Sequence, residues 1–165
     1  MRIAVAVVVL LLLLCSSSAA IAQSPGGIAQ SAVSGVSLGL GQAQARARMT
    51  KPVRLDRLED GYVRLVSPRQ RLESYFRIGT KGVAVVTTWN PHLKTAAGVG
   101  PCSTVAALKR AYGARLAPFR QGGKIVAYRL GNLIFAVEGG MRVGVVALGR
   151  GPQAVYVALN ATECI

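Results

Sequence analysis

Alternating apolar and polar positions along the chain predict a protein built largely from β-strands. Tyr62, Arg64 and Val66 alternate with Val63 and Leu65, so these two sets of side chains belong to opposite faces of one strand. Further runs of this kind are bounded by residues that favour turns. The predicted strands are 61–66, 71–78, 82–88, 124–130, 133–138 and 143–148, and 154–159 is a further strand candidate near the end of the chain.

A segment typical of a short helix precedes each group of three predicted strands. Residues 43–49 and 106–112 consist mostly of good helix formers and correspond to each other in the two halves of the chain. In the second segment, Val105, Leu108 and Tyr112 are spaced so that their side chains lie on one helical face. Each half of the chain is therefore predicted to contain one helix followed by three strands.

This repeated order predicts an α+β fold made of two helix–β–β–β repeats. We place the first repeat at 35–90, a connector at 91–97, and the second repeat, with its C-terminal strand, at 98–165. One such unit is too small to bury a sheet face alone. Two units side by side can form a continuous antiparallel sheet with the short helices on one face. Chance similarity between two segments rich in small residues is the alternative explanation.

The start of the chain has the pattern of a secretory signal peptide. The apolar run 3–14 is shorter than the roughly 20 residues that a membrane-spanning helix needs. Ala-Ile-Ala at 20–22 provides a cleavage site, so 1–22 is predicted to be removed and 23–34 to form a flexible lead-in. We therefore expect a secreted or extracytoplasmic protein without a transmembrane segment after cleavage. Acylation of Cys15 and retention of the segment as an anchor are the alternatives.

Removal of this leader leaves two cysteines, Cys102 and Cys164. Two cysteines in the oxidising compartment that an exported protein reaches usually pair, so we predict a disulfide between them. Closing a loop of this length is worth roughly 4 kcal/mol in the chain-entropy model. A reactive or metal-binding thiol pair is the alternative, but the chain contains no C-x-x-C motif.

The opening of the second half is similar to a motif of two known families. Residues 98–105, with Leu108, Tyr112 and Gly113, resemble the glycine-containing opening of the BamE/SmpA-like and β-lactamase-inhibitor-like families. The resemblance covers 35–149 and implies small domains, often in tandem, in which a helical opening precedes a three- or four-stranded antiparallel sheet. It also implies a non-enzymatic module that binds other proteins or supports envelope assembly. It implies no particular binding residues.

One motif is typical of catalysis. Residues 35–39 match G-x-S-x-G with Ser37 at the nucleophile position, and acidic residues and then His92 follow in the order of an α/β-hydrolase. That motif requires a preceding buried strand, whereas 23–34 is rich in Gly, Ser and Gln. His92 lies in a proline-containing connector, which favours a solvated loop. A small secreted serine hydrolase using Ser37 and His92 is therefore the alternative function.

Other kinds of site lack the residues that they need. A single His and three Cys exclude the common zinc cages, which take four ligands of these types. The glycine-containing segments 39–41 and 122–125 are incomplete as phosphate-binding loops. Residues 81–86 lack the aromatic rings that stack on RNA bases. We therefore predict no catalytic, cofactor-binding or metal-binding residues and no specific binding of nucleic acid.

Charge is the feature of the composition with the clearest functional consequence. The chain has 20 Lys and Arg residues against 6 Asp and Glu, and the basic residues are dispersed rather than collected in a tail. This balance favours association with polyanions: anionic lipid headgroups, phosphate-rich cell-wall polymers, acidic proteins or nucleic acid. Codon usage in a GC-rich organism is an alternative origin of the high arginine content.

The sequence as a whole predicts an exported, strongly basic, non-enzymatic binding or interaction module of the cell envelope or extracellular space. Its expected partner is an unknown protein or an anionic envelope component. A cationic protein that binds an envelope polymer or an anionic surface is a further alternative to the serine hydrolase.

Overall fold

A computed structural model describes residues 27–161, which form two antiparallel sheets and three short α-helices. A small hairpin opens this region, and an eight-stranded sheet forms most of it. The elements are β1 Ala32–Val33, β2 Val36–Ser37, α1 Gln42–Arg48, β3 Arg54–Arg57, β4 Tyr62–Ser67, β5 Leu72–Arg77, β6 Val83–Thr88, α2 Val105–Tyr112, a 3-10 turn Gly113–Arg115, β7 Ala117–Gln121, β8 Lys124–Leu130, β9 Leu133–Glu138, β10 Arg142–Gly149 and α3 Gly151–Leu159.

The large sheet has the strand order β3-β4-β5-β6-β10-β9-β8-β7, and every neighbouring pair is antiparallel. Its two central strands are the last strands of the two halves, with Val86 opposite Leu148 and Thr88 opposite Val146. Both strands are almost continuously buried, which explains their run of small and β-branched apolar residues. The predicted mixed α and β class with a mainly antiparallel sheet is therefore confirmed.

One face of the sheet packs against α1, α2 and the N-terminal hairpin. The core on this side includes Ala45 from α1, Leu108 from α2 and Val33 from β1, all fully buried, with Leu65 and Phe135 from the sheet. Residues 27–34, which we predicted as part of a flexible lead-in, contribute to this core instead. Ile28 donates its backbone N–H to the Lys94 carbonyl at 3.0 Å, so the packed chain begins before residue 35.

The opposite face of the sheet is covered by α3, and here two predictions were wrong. Residues 154–159 form a helix rather than a strand, and this helix lies on the other side of the sheet from α1 and α2. Pro152 stands in its first turn, where the missing N–H is not needed. Its buried residues, Ala154, Val155, Val157 and Ala158, include two valines, whose β-branched side chains favoured the strand interpretation.

The two outermost strands, β3 and β7, were not predicted. Each half of the chain therefore contributes four strands to the large sheet, whereas the sequence analysis predicted three. Both strands are mostly exposed, so neither has an apolar face that alternation could reveal. The predicted signal peptide 1–22, Cys15 and Cys164 lie outside the described residues.

Candidate anion-binding site

Helix α1 and edge strand β3 flank two pockets on the helical face of the sheet. Ala45 and Met49 are buried and anchor α1 to the core, while Gln42 and Arg46 are exposed. Residues four apart on a helix share a face and lie about 6 Å apart along its axis. Gln42 lines one pocket and Arg46 lines the other, so the two pockets are neighbours along the same side of α1.

The first pocket lies at the C-terminal end of α1. It has a volume of about 490 Å3 and is lined by Arg46, Lys51, Pro52, Val53 and Arg69. The loop before β3 supplies Lys51 and the β4–β5 turn supplies Arg69. This pocket therefore combines three positively charged residues with the apolar surface of Pro52 and Val53.

Hydrogen bonds fix the two segments that carry the cations of this first pocket. Gln70 accepts the backbone N–H of Thr50 at 2.9 Å and donates to the Ser34 hydroxyl at 2.6 Å. Ser67 donates its hydroxyl to the Thr50 carbonyl at 2.5 Å. Because Thr50 precedes Lys51 and Gln70 follows Arg69, these bonds hold the two cations on neighbouring segments of backbone.

The second pocket lies at the other end of β3. It has a volume of about 360 Å3, and its charged lining residues are Arg57 on β3, Arg77 at the end of β5 and Lys81 in the following turn. Val63, Phe76 and Ile78 add apolar surface, and Ile78 is 62% exposed. Arg77 pairs with Tyr62, which packs on the α3 side of the sheet, so alternation directs the Arg77 side chain to that other face. The pocket therefore combines the charges of Arg57 and Lys81 with apolar surface.

Leu55 lies between the two pockets. It pairs with the buried Leu65 in β4, whose side chain belongs to the core on the α1 side, so Leu55 projects from this same face. Alternation places Val53 and Arg57 on this face as well. Leu55 is 43% exposed, so it adds apolar surface between the two pockets. We call the two pockets together with Leu55 the basic groove.

The five cations that face the basic groove have no carboxylate partners within residues 27–161; they are Arg46, Lys51, Arg57, Arg69 and Lys81. All five are exposed, and no Asp or Glu among the described residues lines either pocket. The two ion pairs in the described part of the chain both belong to Arg64, which binds Asp56 at 2.9 Å and Glu73 at 3.4 Å. The groove therefore presents concentrated, uncompensated positive charge.

The Arg64 network lies on the opposite face of the same strands. Burial of the Arg64 guanidinium opposes its charge, but Asp56 and Glu73 outweigh this effect and raise its pKa. Burial and the neighbouring Glu73 carboxylate also raise the pKa of the Tyr75 hydroxyl, which donates to that carboxylate at 2.5 Å. Glu73 is 3% exposed and accepts a further hydrogen bond from Thr87 at 3.4 Å. Asp56 and Glu73 are therefore both paired with Arg64, on the face of the sheet away from the groove.

The structure does not bring the predicted hydrolase residues into a catalytic arrangement. Ser37 is partly buried in the small hairpin, and His92 is exposed in the loop after β6. The backbone N–H of His92 donates to Asn90 Oδ1 at 3.0 Å. In the part of the chain that the structure describes, no hydrogen bond joins the Ser37 hydroxyl to an imidazole.

Cys102 lies in the loop before α2, where its backbone N–H donates to the Val143 carbonyl at 2.7 Å. Its φ of 65° is in the left-handed region, at the position where the motif of the resembling families has glycine. Cys102 is disulfide-bonded. Cys164 is outside the described residues, so the pairing of Cys102 with Cys164 stays a prediction.

No group of three or more His, Cys, Asp or Glu side chains within 27–161 is placed to hold a metal ion. Over the same residues, no helix is long and apolar enough to cross a membrane. Comparison of the chain with protein-family models, curated protein sequences and solved structures found no match.

Sequence reasoning identified the excess of positive charge but not the basic groove. The four-residue spacing of Gln42 and Arg46 was a usable signal, since it places both on one helical face. The other cations come from the β3 approach, the β4–β5 turn and the β5–β6 turn, which are distant in sequence. Their convergence depends on the unpredicted strand β3.

Proposed function

We propose that this chain is an exported, non-enzymatic interaction module that binds an anionic partner in the basic groove. One observation carries the proposal: five exposed cations face two adjoining pockets, and the described residues supply no carboxylate to either. Like charges so close together repel one another, and an anionic ligand relieves that repulsion. Three of the five are arginines, which suit bidentate contacts with phosphate or carboxylate groups.

The strand order supports a tandem origin for the module. In each half, a short helix precedes a four-stranded meander, and the halves meet through their last strands, β6 and β10. We infer that the halves are two copies of one helix–β–β–β–β unit, with one more strand than the sequence analysis assigned. The resemblance to the BamE/SmpA-like and β-lactamase-inhibitor-like families agrees with this inference and with a binding role.

A titration with a defined polyanion tests the proposed site. Inorganic polyphosphate is the probe, and the exported protein is compared with the variant R46Q/K51Q/R69Q at low and high salt. Exposed ion pairs are worth about 0.2–1 kcal/mol each, so the loss of three is expected to weaken binding about tenfold. Binding by the unmodified protein should fall steeply as salt rises.

A second variant removes the same charge outside the groove. Arg110, Lys124 and Arg142 are exposed in the second half of the chain, and no hydrogen bond or ion pair of their side chains is present among the described residues. The variant R110Q/K124Q/R142Q should retain polyphosphate affinity within about threefold. Equal losses for the two variants would mean that net charge alone attracts the ligand, and the groove would not be the site.

A further inference from the structure

The outer edge of β3 has backbone groups that are available to another strand. Leu58 donates its backbone N–H to the Tyr62 carbonyl at 2.9 Å, which makes Leu58 and Tyr62 a hydrogen-bonded pair. In an antiparallel ladder such pairs alternate with pairs that are not hydrogen-bonded. The registered pair Asp56–Arg64 is therefore hydrogen-bonded. Leu55 and Arg57 fall in the alternate positions, and their backbone N–H and C=O groups point away from β4.

No other segment within residues 27–161 occupies this edge. Beyond the β3–β4 ladder, no described backbone group bonds to Leu55 or Arg57. The other edge of the sheet differs, because β7 contains Pro118 and has an irregular register between Phe119 and Arg120. Proline, bulges, charged side chains and short length are means by which proteins protect edge strands from pairing. Strand β3 is short and charged, but it has no proline or bulge, and its register with β4 is regular.

The side chains beside this edge define the chemistry of a strand that could pair with it. The residues with outward backbone groups, Leu55 and Arg57, also face the basic groove, as does Val53. Val53 and Arg57 line the two pockets and lie roughly 13 Å apart along the strand. An added strand with acidic side chains four residues apart places one carboxylate at each pocket. Its middle residue on the same face lies opposite Leu55, where an apolar side chain matches best.

We propose that the basic groove takes an extended acidic segment of a partner protein, which adds antiparallel to β3 and carries the pattern acidic-x-apolar-x-acidic. This inference rests on the proposed function and assigns its anionic partner to one chemical class. Backbone hydrogen bonds to Leu55 and Arg57 hold the segment, and the two pockets select its charges. Peptide recognition by strand addition divides affinity and specificity in this way.

A pair of backbone-methylated peptides tests strand addition separately from charge. The probe is a capped peptide containing Glu-Thr-Val-Thr-Glu. In the proposed register the central Val exchanges hydrogen bonds with Leu55, so N-methylation of that Val should weaken binding at least tenfold. N-methylation of the Thr before it alters an N–H that points away from β3, and should change the affinity less than threefold. A peptide of the same composition with the two Glu adjacent should also bind at least tenfold more weakly than the parent.

Amide hydrogen exchange locates the bound peptide on the protein. The Leu55 and Arg57 amides should exchange at least tenfold more slowly in the complex, whereas Asp56, already bonded to β4, should change little. Polyphosphate, which has no peptide backbone, should leave the exchange rates of Leu55 and Arg57 within threefold of the free protein. A concentration-dependent dimer with the same protection and no peptide present would assign the edge to a second copy of the chain and overturn the proposal.

The results also separate this inference from the proposed function. Polyphosphate binding at the groove together with equal affinity for the two methylated peptides would overturn strand addition and leave the anionic groove intact. If the protein binds polyphosphate but not the parent peptide, strand addition is likewise overturned and the anionic groove is left intact. Loss of specific binding by both probes would overturn the proposed function itself.

Discussion

Asp56 and Arg57 are consecutive residues of β3 whose side chains lie on opposite faces of the sheet. Asp56 pairs with Arg64 at 2.9 Å on the face away from α1, whereas Arg57 lines a pocket of the basic groove. A shift of one residue in the β3 register would exchange them and place a carboxylate in the groove. The pairing of Leu55 with the fully buried Leu65 opposes that shift, because it would remove the leucine from the apolar face.

A carboxylate introduced between the pockets should reduce anion binding. Leu55→Asp places a negative charge on the surface between the two groups of cations, and we expect polyphosphate affinity to fall about fivefold to tenfold. Leu55 is 43% exposed, so the midpoint of urea unfolding should change little. Leu55→Asn is the neutral control and should stay within about twofold of the unmodified protein. Equal affinity for the Asp and Asn variants would argue against an anion lying near Leu55.

The close approach of α3 to the central strand requires glycine at position 149. A Cβ on Gly149 would lie 2.5 Å from the Ala154 Cβ, so Gly149→Ala forces α3 away from β10. We expect a loss of about 1–3 kcal/mol in the free energy of unfolding, measured in urea. At Gly144 the nearest atoms to a new Cβ are 3.6 Å away, so Gly144→Ala should cost under about 1 kcal/mol. Similar losses for both variants would contradict the packing described for α3.

The Arg64 network predicts a change of stability at high pH. Folding raises the pKa of Tyr75, so the folded state keeps this proton more tightly than the unfolded state does. The resulting stabilisation is complete below the unfolded pKa of about 10 and declines as pH rises above it. Urea unfolding of the unmodified protein should therefore lose more stability between pH 9 and pH 11 than that of Tyr75→Phe. Parallel losses would exclude Tyr75 as the source.

At neutral pH, Tyr75→Phe should itself be destabilising. It removes the hydroxyl that donates to the buried Glu73 carboxylate and leaves that oxygen with only the long bond from Thr87 at 3.4 Å. Loss of a hydrogen bond to a charged group costs about 1.5–3 kcal/mol. The matched change Tyr156→Phe affects an exposed tyrosine on α3 and should cost less than about 0.5 kcal/mol.

The predicted disulfide gives a test of where the C-terminus attaches. Peptide mapping of the purified protein without reductant should recover a fragment that joins Cys102 to Cys164. Cys164→Ser should lower the free energy of unfolding by about 2–4 kcal/mol, and reductant should have little further effect on this variant. A linkage of Cys102 to Cys15 would instead mean that the leader is retained.

The sequence predicted the centre of the fold better than its periphery. Strands β6 and β10 and the apolar face of α2 follow from runs such as 83–88 and 143–149 and from the spacing of Val105 and Leu108. At those positions, the apolar residues that the local sequence pattern assigns to the core are buried in the structure. Helix α3 was misassigned because its valines suit a strand, although Pro152 in its first turn is typical of a helix start.

The candidate site depends on features that no single segment of sequence contains. Strand β3 reads as Arg-Leu-Asp-Arg, with no alternation long enough to predict a strand. Its pairing with β4 determines that Leu55 and Arg57 face α1 and that Asp56 does not. The hydrogen bond from Thr50 to Gln70 then brings Lys51 near Arg69. Charge could be counted from the sequence, but its concentration in a groove arises from tertiary structure.

Arginine footprinting with bound polyphosphate tests the central claim most directly. The unmodified protein, with and without bound polyphosphate, is modified with an arginine-selective dicarbonyl reagent. We predict at least fivefold protection of the groove arginines Arg46, Arg57 and Arg69, and less than twofold protection of the exposed Arg110 and Arg142. Equal protection across both sets, or protection confined to the second set, would contradict binding in the basic groove.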